Sequence, residues 1–229
     1  MDHISGLLEL IKDSRITISN LVLPKIDRSK VKENEAKQNV NYAECSDKYR
    51  DLKLLAESYG INLLYIEAGD YIREGMLDIT CLHPYDGFVY SSENAYSTVL
   101  SVTYGDFDML LTGDLEAEGE DAVISRLAGY VTGDRLSKIH DDGLRNGYDV
   151  LKVAHHGSRN STSKELLELI KPKYSIISCG YKNRYGHPHY EVLERLNQIG
   201  SEMKIIYETG AITVRTDGKK VKMEGYLNN

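Results

Sequence analysis

Tryptophan is absent from this 229-residue chain, phenylalanine occurs twice, and cysteine occurs three times. No run of apolar residues approaches the length needed to cross a bilayer, so no α-helical membrane span is expected. Cys45, Cys81 and Cys179 are few, odd in number and out of metal-ligand spacing. A disulfide framework is thereby excluded, and reduced thiols in a cytosolic compartment are expected. Met1-Asp2-His3 leads straight into an amphipathic pattern, so no secretory signal is expected either. Positive charge is also in short supply, with 28 Lys and Arg against 35 Asp and Glu, a net charge of -7. That balance argues against a protein that coats nucleic acid generally.

What is present describes an ordinary globular chain, 41% hydrophobic and 28% charged, long enough for one substantial core. Its aromatic chemistry is almost all tyrosine, with 17 residues. The charge is unevenly spread. Lys152, Arg159, Lys164, Lys171, Lys173, Lys182 and Arg184 gather in the second half, while acids crowd Glu116 to Asp121 and the first third. Most such side chains are simply solvated. A locally basic cleft on an acidic protein nonetheless suits an anionic substrate such as a phosphate ester.

Apolar spacing predicts a short helix over Ile4 to Lys12, with a β-branched strand at Ile16 to Leu23 closed by Pro24. Lys25 to Ser46 is charged and unpatterned, which reads as a surface loop or insertion. Tyr49, Leu52, Leu55, Ala56 and Tyr59 form the next helical face, stopped by Gly60 and followed by a strand at Ile61 to Ile66. Further strands are expected at Met76 to Leu82, Ser97 to Tyr104 and Phe107 to Leu111, the last two joined by Gly105-Asp106. Leu115 to Leu127 is helical in pattern. Ser161-Thr-Ser163 offers an N-cap to a helix on Leu166, Leu167 and Ile170, and Val192 to Ile199 forms another helix ended by Gly200. Strands at Lys204 to Tyr207 and Ala211 to Arg215 close the chain, before the turn Thr216-Asp217-Gly218. Strands alternating with helices argue for sheets covered by helices, in one domain.

Three strand ends carry chemistry. Phe107 to Leu111 runs into Thr-Gly113-Asp114, and Val150-Leu-Lys-Val-Ala into His155-His156-Gly157-Ser158. Tyr174-Ser-Ile-Ile-Ser-Cys179-Gly180 runs towards Asn183-Arg-Tyr-Gly186-His187-Pro188-His189. A strand end fixes an imidazole or carboxylate rigidly, and Asp and His delivered by neighbouring strands are the ligand types from which a metal site is built. The plainer alternatives are a satisfied histidine pair, a loop histidine and a turn aspartate. Asn94 and Ser97 read better as a turn than as site residues, and His83, His140 and His189 as surface or structural. Tyr181 and Tyr185, interleaved with Lys182 and Arg184, are candidates to stack a base or to line a cleft wall.

Taken together, Asp2-His3 before a helix, Leu111-Thr-Gly113-Asp114, His155-His156-Gly-Ser and Asn183-Arg-Tyr-Gly186-His187-Pro188 resemble the metallo-β-lactamase superfamily. The likeness is narrowest to the hydrolase domain of ComEC-type competence proteins, and Asn94-Ala-Tyr-Ser97 and Tyr207-Glu-Thr209-Gly210 support it. The resemblance implies an α/β architecture, an αββα sandwich, as a single domain over 1–229. It also implies two divalent metal ions, zinc first and Mn²⁺ second among the candidates. The family signature opens His-x-His-x-Asp-His, of which this sequence holds the last two letters, Asp2 and His3. The first metal site is therefore expected to be incomplete, and the sandwich to lack its first strands at the N-terminus.

Carried over position by position, the resemblance makes Asp114 the bridging carboxylate. Asp2, His3, His155, His156 and His187 are then metal ligands, with the choice between His155 and His156 left open. Asp114, His155 and His156 form the catalytic group, and Lys152, Ser158, Arg159, Asn183 and Arg184 become substrate contacts. The implied activity is hydrolysis of a phosphodiester, in nucleic acid (DNA among the candidates) or a nucleotide, by a metal-bridging hydroxide. An inactive remnant serving as a binding or regulatory module is the alternative from a different class.

Overall fold

A computed structural model of the chain describes residues 2–25, 43–85, 90–132 and 147–227, with side chains within 4–25, 48–85, 90–129 and 147–227. His140 and most of the expected loop at 25–46 lie outside the described residues. Contacts group the chain into two compact units, residues 1–67 with 86–91 and residues 68–85 with 92–229.

In the first unit, α1 (Asp2–Lys12) and α2 (Ala43–Ser58) accompany a parallel pair, β1 (Asn20–Pro24) and β2 (Asn62–Ile66). Helix α2 already includes Ala43 to Ser46, which the charge-rich pattern had assigned to a loop. Its apolar residues recur at helical spacing, so Leu52 and Ala56 are fully buried. They pack with Ile11, Leu23 and Ile61, and with Ile4, Leu7 and Leu8 from α1.

The second unit holds a seven-stranded mixed sheet. Its strands are β3 (Tyr71–Glu74), β4 (Leu77–His83), β5 (Val99–Tyr104), β6 (Phe107–Leu111), β7 (Val150–Lys152), β8 (Tyr174–Ile177) and β9 (Glu202–Ile205), in that spatial order. From β3 to β6 neighbours are antiparallel and joined as a meander, whereas β6 to β9 run parallel. Parallel neighbours need crossovers, and helices supply them. Helix α3 (Ala117–Thr132) lies between β6 and β7, α4 (Lys164–Ile170) between β7 and β8, and α5 (Tyr190–Gln198) between β8 and β9. After β9 come the short α6 (Ile206–Thr209) and the antiparallel hairpin β10 (Ile212–Thr216) and β11 (Val221–Gly225).

Alternation along the strands divides two apolar cores between the sheet's faces. Leu110, Leu151 and Ile177 pack with Val123 and Leu127 of α3, Leu166, Leu167 and Ile170 of α4, and Val192 and Leu196 of α5. Phe107, Val150 and Ile176 pack instead with Ile212, Val214, Val221 and Met223 of the closing hairpin. The mixed α/β class expected from the sequence is what the structure has. Two expectations shift. Tyr71–Glu74 is a strand that no hydrophobic alternation announced, because all four residues are exposed on the sheet edge. Tyr207, expected to end a strand, lies instead in α6.

His83 ends β4 with no exposed surface, its Nδ1 2.9 Å from the Ser97 carbonyl. Burial lowers its pKa from 6.5 to about 4, against the opposing pull of that carbonyl. The folded-state value lies below the unfolded one, so the unfolded chain takes up the proton first as pH falls. The stability His83 contributes is complete above the unfolded value of 6.5 and is lost on acidification towards 4. That loss is about 3 kcal/mol. Denaturant unfolding of wild type and His83→Asn across this window should show the wild-type advantage shrinking by that amount; a gap independent of pH would refute the assignment.

Candidate metal centre

Because β6, β7 and β8 are parallel neighbours, their C-terminal ends share one edge of the sheet. The chain leaves β6 through Thr112 and Gly113 to Asp114, which is largely buried. The Asp114 backbone N–H donates to the Ser97 hydroxyl at 3.1 Å. Gly113 sits at φ 54, and a Cβ there would stand 3.2 Å from the Ser97 Cβ, so the position suits glycine. Its carbonyl accepts from the His155 backbone N–H at 3.0 Å, which ties the aspartate turn to the histidine turn.

The histidine turn is strained. After β7 the chain makes a tight turn over Ala154–Gly157, with His155 at φ 46, ψ 46 and His156 at φ 55, ψ 19. Left-handed backbone at two successive residues bearing side chains is unfavourable by about 1–3 kcal/mol each, and persists only where the surroundings enforce it. Here they do. The Ala154 N–H donates to the Thr162 hydroxyl at 3.2 Å, and the Ser161 hydroxyl donates to the Ala154 carbonyl at 3.1 Å. The buried Glu120 carboxylate, from α3, accepts from the backbone N–H of Thr162 at 2.6 Å and of Ser163 at 2.7 Å. Ser163 caps α4 by accepting from the Leu166 N–H. At Gly157, φ is 84 and a Cβ would come within 2.6 Å of the Pro188 Cβ, so this glycine lets the third loop close on the second. The His189 N–H donates to the Gly157 carbonyl at 2.9 Å.

Hydrogen bonds fix how each imidazole is presented. His156 Nδ1 lies 2.5 Å from the Ser178 carbonyl, which can only accept, so Nδ1 carries the hydrogen and Nε2 the lone pair. That Nε2 stands 3.6 Å from Asp114 Oδ1. The separation is too long for a hydrogen bond, and it is close to the ~3.3 Å between two donors that share one tetrahedral zinc at 2.0–2.1 Å. His155 Nδ1 donates to Glu116 Oε2 at 3.1 Å, which turns its own Nε2 away from that carboxylate. Glu116 accepts further bonds from Asn94 Nδ2 at 3.1 Å and the Ser92 hydroxyl at 3.5 Å. The His155 bond does most to hold the Glu116 carboxyl below its ordinary pKa, so it is a carboxylate at neutral pH. A carboxylate behind an imidazole in this way sets its tautomer and raises its basicity as a ligand.

His187 completes the group, its ring centroid 5.5 Å from that of His155 and 6.4 Å from that of His156. Its pKa falls to about 4, first through burial and then through the neighbouring His189, His155 and His156, with Asp114 opposing. The imidazole is therefore neutral at neutral pH, the form in which histidine binds metal. Asn183 shapes its loop. The Asn183 side chain donates to the carbonyls of Gly180 at 2.9 Å and His187 at 2.5 Å, and accepts from the backbone N–H of Tyr185 at 3.2 Å and His187 at 3.0 Å. Among the described residues no three His, Cys, Asp or Glu side chains close into a complete metal cage. The donors stand as the Asp114–His156 pair with two further imidazoles beside it, a set of nitrogen and carboxylate oxygen chemically suited to a divalent cation.

The remaining predicted residues fall in different places. Asp2 and His3 lie in α1 by their backbone, and their side chains are outside the described residues. Lys152 is half-buried, its ammonium donating to the Val153 carbonyl at 2.8 Å. Burial pushes its pKa down while the charge of Asp114 pulls it back up. Ser158 is buried with its hydroxyl accepting from the Asn160 N–H at 3.4 Å, so it braces the turn. Arg159 is paired to Glu191 at 3.1 Å, while Arg184 is exposed, its guanidinium 4.6 Å from the Tyr185 ring centroid. Asn94 and Ser97 do form a turn, over Asn94–Tyr96, and also reach the site through Glu116 and Asp114. His189 is structural, its Nδ1 accepting from the Arg159 N–H at 3.0 Å. The sequence reading missed Glu116 and Glu120, which looked like two solvated acids among several; only their offset of two and six residues from Asp114 could have pointed inward.

Comparison with known proteins fits this geometry. A sequence profile described as the Metallo-beta-lactamase superfamily matches residues 88–181, which include the turns bearing Asp114 and His155-His156. ComE operon protein 3 of Bacillus subtilis is 30% identical over 214 residues, 93% of this chain and 23% of that protein. Recombination protein 2 of Haemophilus influenzae is 34% identical over 171 residues, 72% of this chain and 19% of that protein. Competence protein ComA of Neisseria gonorrhoeae is 31% identical over 120 residues, 52% of this chain and 15% of that protein. The chain thus spans less than a quarter of the length of these relatives. The solved structure of CmlA, a diiron β-hydroxylase from Streptomyces venezuelae, aligns at 9% identity over 65% of this chain and 34% of its own, with a TM-score of 0.36, too remote to carry an argument.

The chain has the fold of the metallo-β-lactamase superfamily, a fold that implies divalent metal binding. Within it, the fold is of the ComEC competence-protein type.

Two expected outcomes test the local geometry. Glu116→Ala should free the His155 tautomer, visible in long-range ¹H–¹⁵N imidazole spectra, and weaken Zn²⁺ binding about 10–100-fold in titration calorimetry. Glu116→Gln, which still offers an acceptor oxygen, should lose less. Glu120→Ala leaves the Thr162 and Ser163 N–H groups without their carboxylate and should lower unfolding stability by about 2–3 kcal/mol.

Proposed function

We propose that this chain is a metal-dependent hydrolase of phosphodiesters, in nucleic acid or a nucleotide. The observation that carries the reading is the 3.6 Å separation of His156 Nε2 and Asp114 Oδ1, with His155 and His187 beside them at the same sheet edge. Asp114, His155, His156 and His187 are the ligands proposed among the described residues, with His155 held by Glu116. When bound, divalent cations supply Lewis acidity towards a phosphoryl oxygen and make water a nucleophile at neutral pH. Zinc suits the imidazole-rich set best, with Mn²⁺ the second choice.

The chain's own residues do the rest. The Ser178 and Glu116 bonds hold two imidazoles, and the Ser97 hydroxyl holds the Asp114 backbone, before substrate arrives. Lys152 adds positive charge next to Asp114 and Arg184 is exposed on the loop that carries His187; both are proposed to steady anionic oxygens. Arg159 serves this role only by leaving Glu191. The names of the relatives refer to competence and recombination, and DNA uptake is the biological setting this reading adopts.

Metal analysis together with hydrolysis of bis(p-nitrophenyl) phosphate tests it. Wild-type protein should retain zinc or manganese after dialysis and turn the ester over. Asp114→Asn should lose metal, and its rate should fall more than about 100-fold, the counterpart of several kcal/mol of lost charge stabilisation. Undiminished turnover in that variant, or a metal-free and inert wild type, would sink the proposal.

A further inference from the structure

The loop after β8 shows water a surface that its own stability does not require. Tyr181 and Tyr185 are 71% and 60% exposed, yet they stand on a loop that Asn183 stiffens with four side-chain hydrogen bonds. The Tyr185 ring stacks on His187, with centroids 5.7 Å apart and planes 23° from parallel. The aromatic surface therefore begins at an imidazole of the candidate centre. Cations attend both rings. The Arg184 guanidinium lies over Tyr185 at 4.6 Å and the Lys182 ammonium over Tyr181 at 5.3 Å. Tyr207, at the C-terminal end of β9 on the same sheet edge, lies against Tyr181 with centroids 5.8 Å apart.

Rigid, exposed aromatic rings with cations at their faces are the chemistry that binds unpaired nucleic acid: bases stack on the rings and the cations follow the phosphates. A duplex keeps its base faces inside and offers nothing to such rings. We propose that Tyr185 and Tyr181 form a base-stacking subsite beside the candidate centre, selecting strands whose bases next to the scissile phosphate are unpaired. A base arriving at Tyr185 exchanges with the exposed Arg184 side chain, whose donors then turn to the phosphate. The role as a specificity subsite rests on the hydrolase reading; the binding itself does not.

The test is therefore one of binding, with the full-length chain and fluorescein-labelled phosphorothioate oligothymidylate, which keeps its charges and resists cleavage. An abasic phosphorothioate strand of equal length reports the electrostatic contribution alone. Wild type should bind the thymidylate more tightly than the abasic strand. Tyr185→Leu and Tyr181→Leu should each weaken thymidylate binding roughly tenfold, the loss expected of one stacked base, and abasic binding less than about twofold. Tyr185→Phe should restore the affinity. Tyr71, equally exposed at 66% with Arg73 over its ring at 5.6 Å, sits on the opposite edge strand β3, so Tyr71→Leu should change nothing. Equal wild-type affinity for the two strands, an equal loss in Tyr71→Leu, or the same tyrosine dependence with duplex would overturn the proposal. Because nothing is cleaved, failure of the hydrolase reading would appear in the ester assay and leave this result to be judged separately.

Discussion

The parallel pairing of β7 between β6 and β8 is the constraint on which the rest depends. Neighbouring strands stand about 4.8 Å apart, so three tips on one edge bring their side chains within an ångström or two of contact without further help. The ring separations of 5.5 and 6.4 Å among His155, His156 and His187 are of that order. Burial secures the pairing. Leu151 and Val150 point to opposite faces and each is fully buried, one under the helices and the other under the closing hairpin. A slip of one residue would exchange these faces and send His155 and His156 elsewhere.

On that frame, three of the four acids within seven positions do three different things. Asp114 faces the imidazoles, Glu116 stands behind His155, and Glu120 lies beneath the turn and holds the start of α4. The division follows from where each leaves the backbone. Asp114 is at the strand tip, Glu116 lies between the tip and the helix, and Glu120 is on the first turn of α3. Every histidine near the centre with a described Nδ1 bond spends that atom on protein, which leaves Nε2 as the reactive end.

Much of this was legible in the residues. Apolar spacing gave α1, α4 and α5 close to their observed limits, because each buries a continuous stripe. The Gly-Asp, His-His-Gly and Gly-His-Pro strings marked the three tips, because a strand end followed by glycine is a local pattern. What stayed hidden was non-local. Glu116 and Glu120 act on groups about forty residues away, and no spacing rule links a glutamate to a distant N–H. Tyr71–Glu74 escaped because an exposed edge strand has no alternation to read. Asn183, expected as a substrate contact, also spends its amide on its own loop, a use that appears only once the loop is folded.

The doubled left-handed backbone at His155 and His156 sets stability against chemistry. Glycine would occupy either position without steric penalty, and the folded chain would hold together more firmly for it. The side chains that make the turn uncomfortable are the same ones that bring His156 Nε2 to Asp114 and His155 to Glu116. Selection for robustness alone would erase them, so their presence is the mark of a molecule kept for what it does rather than for how well it lasts.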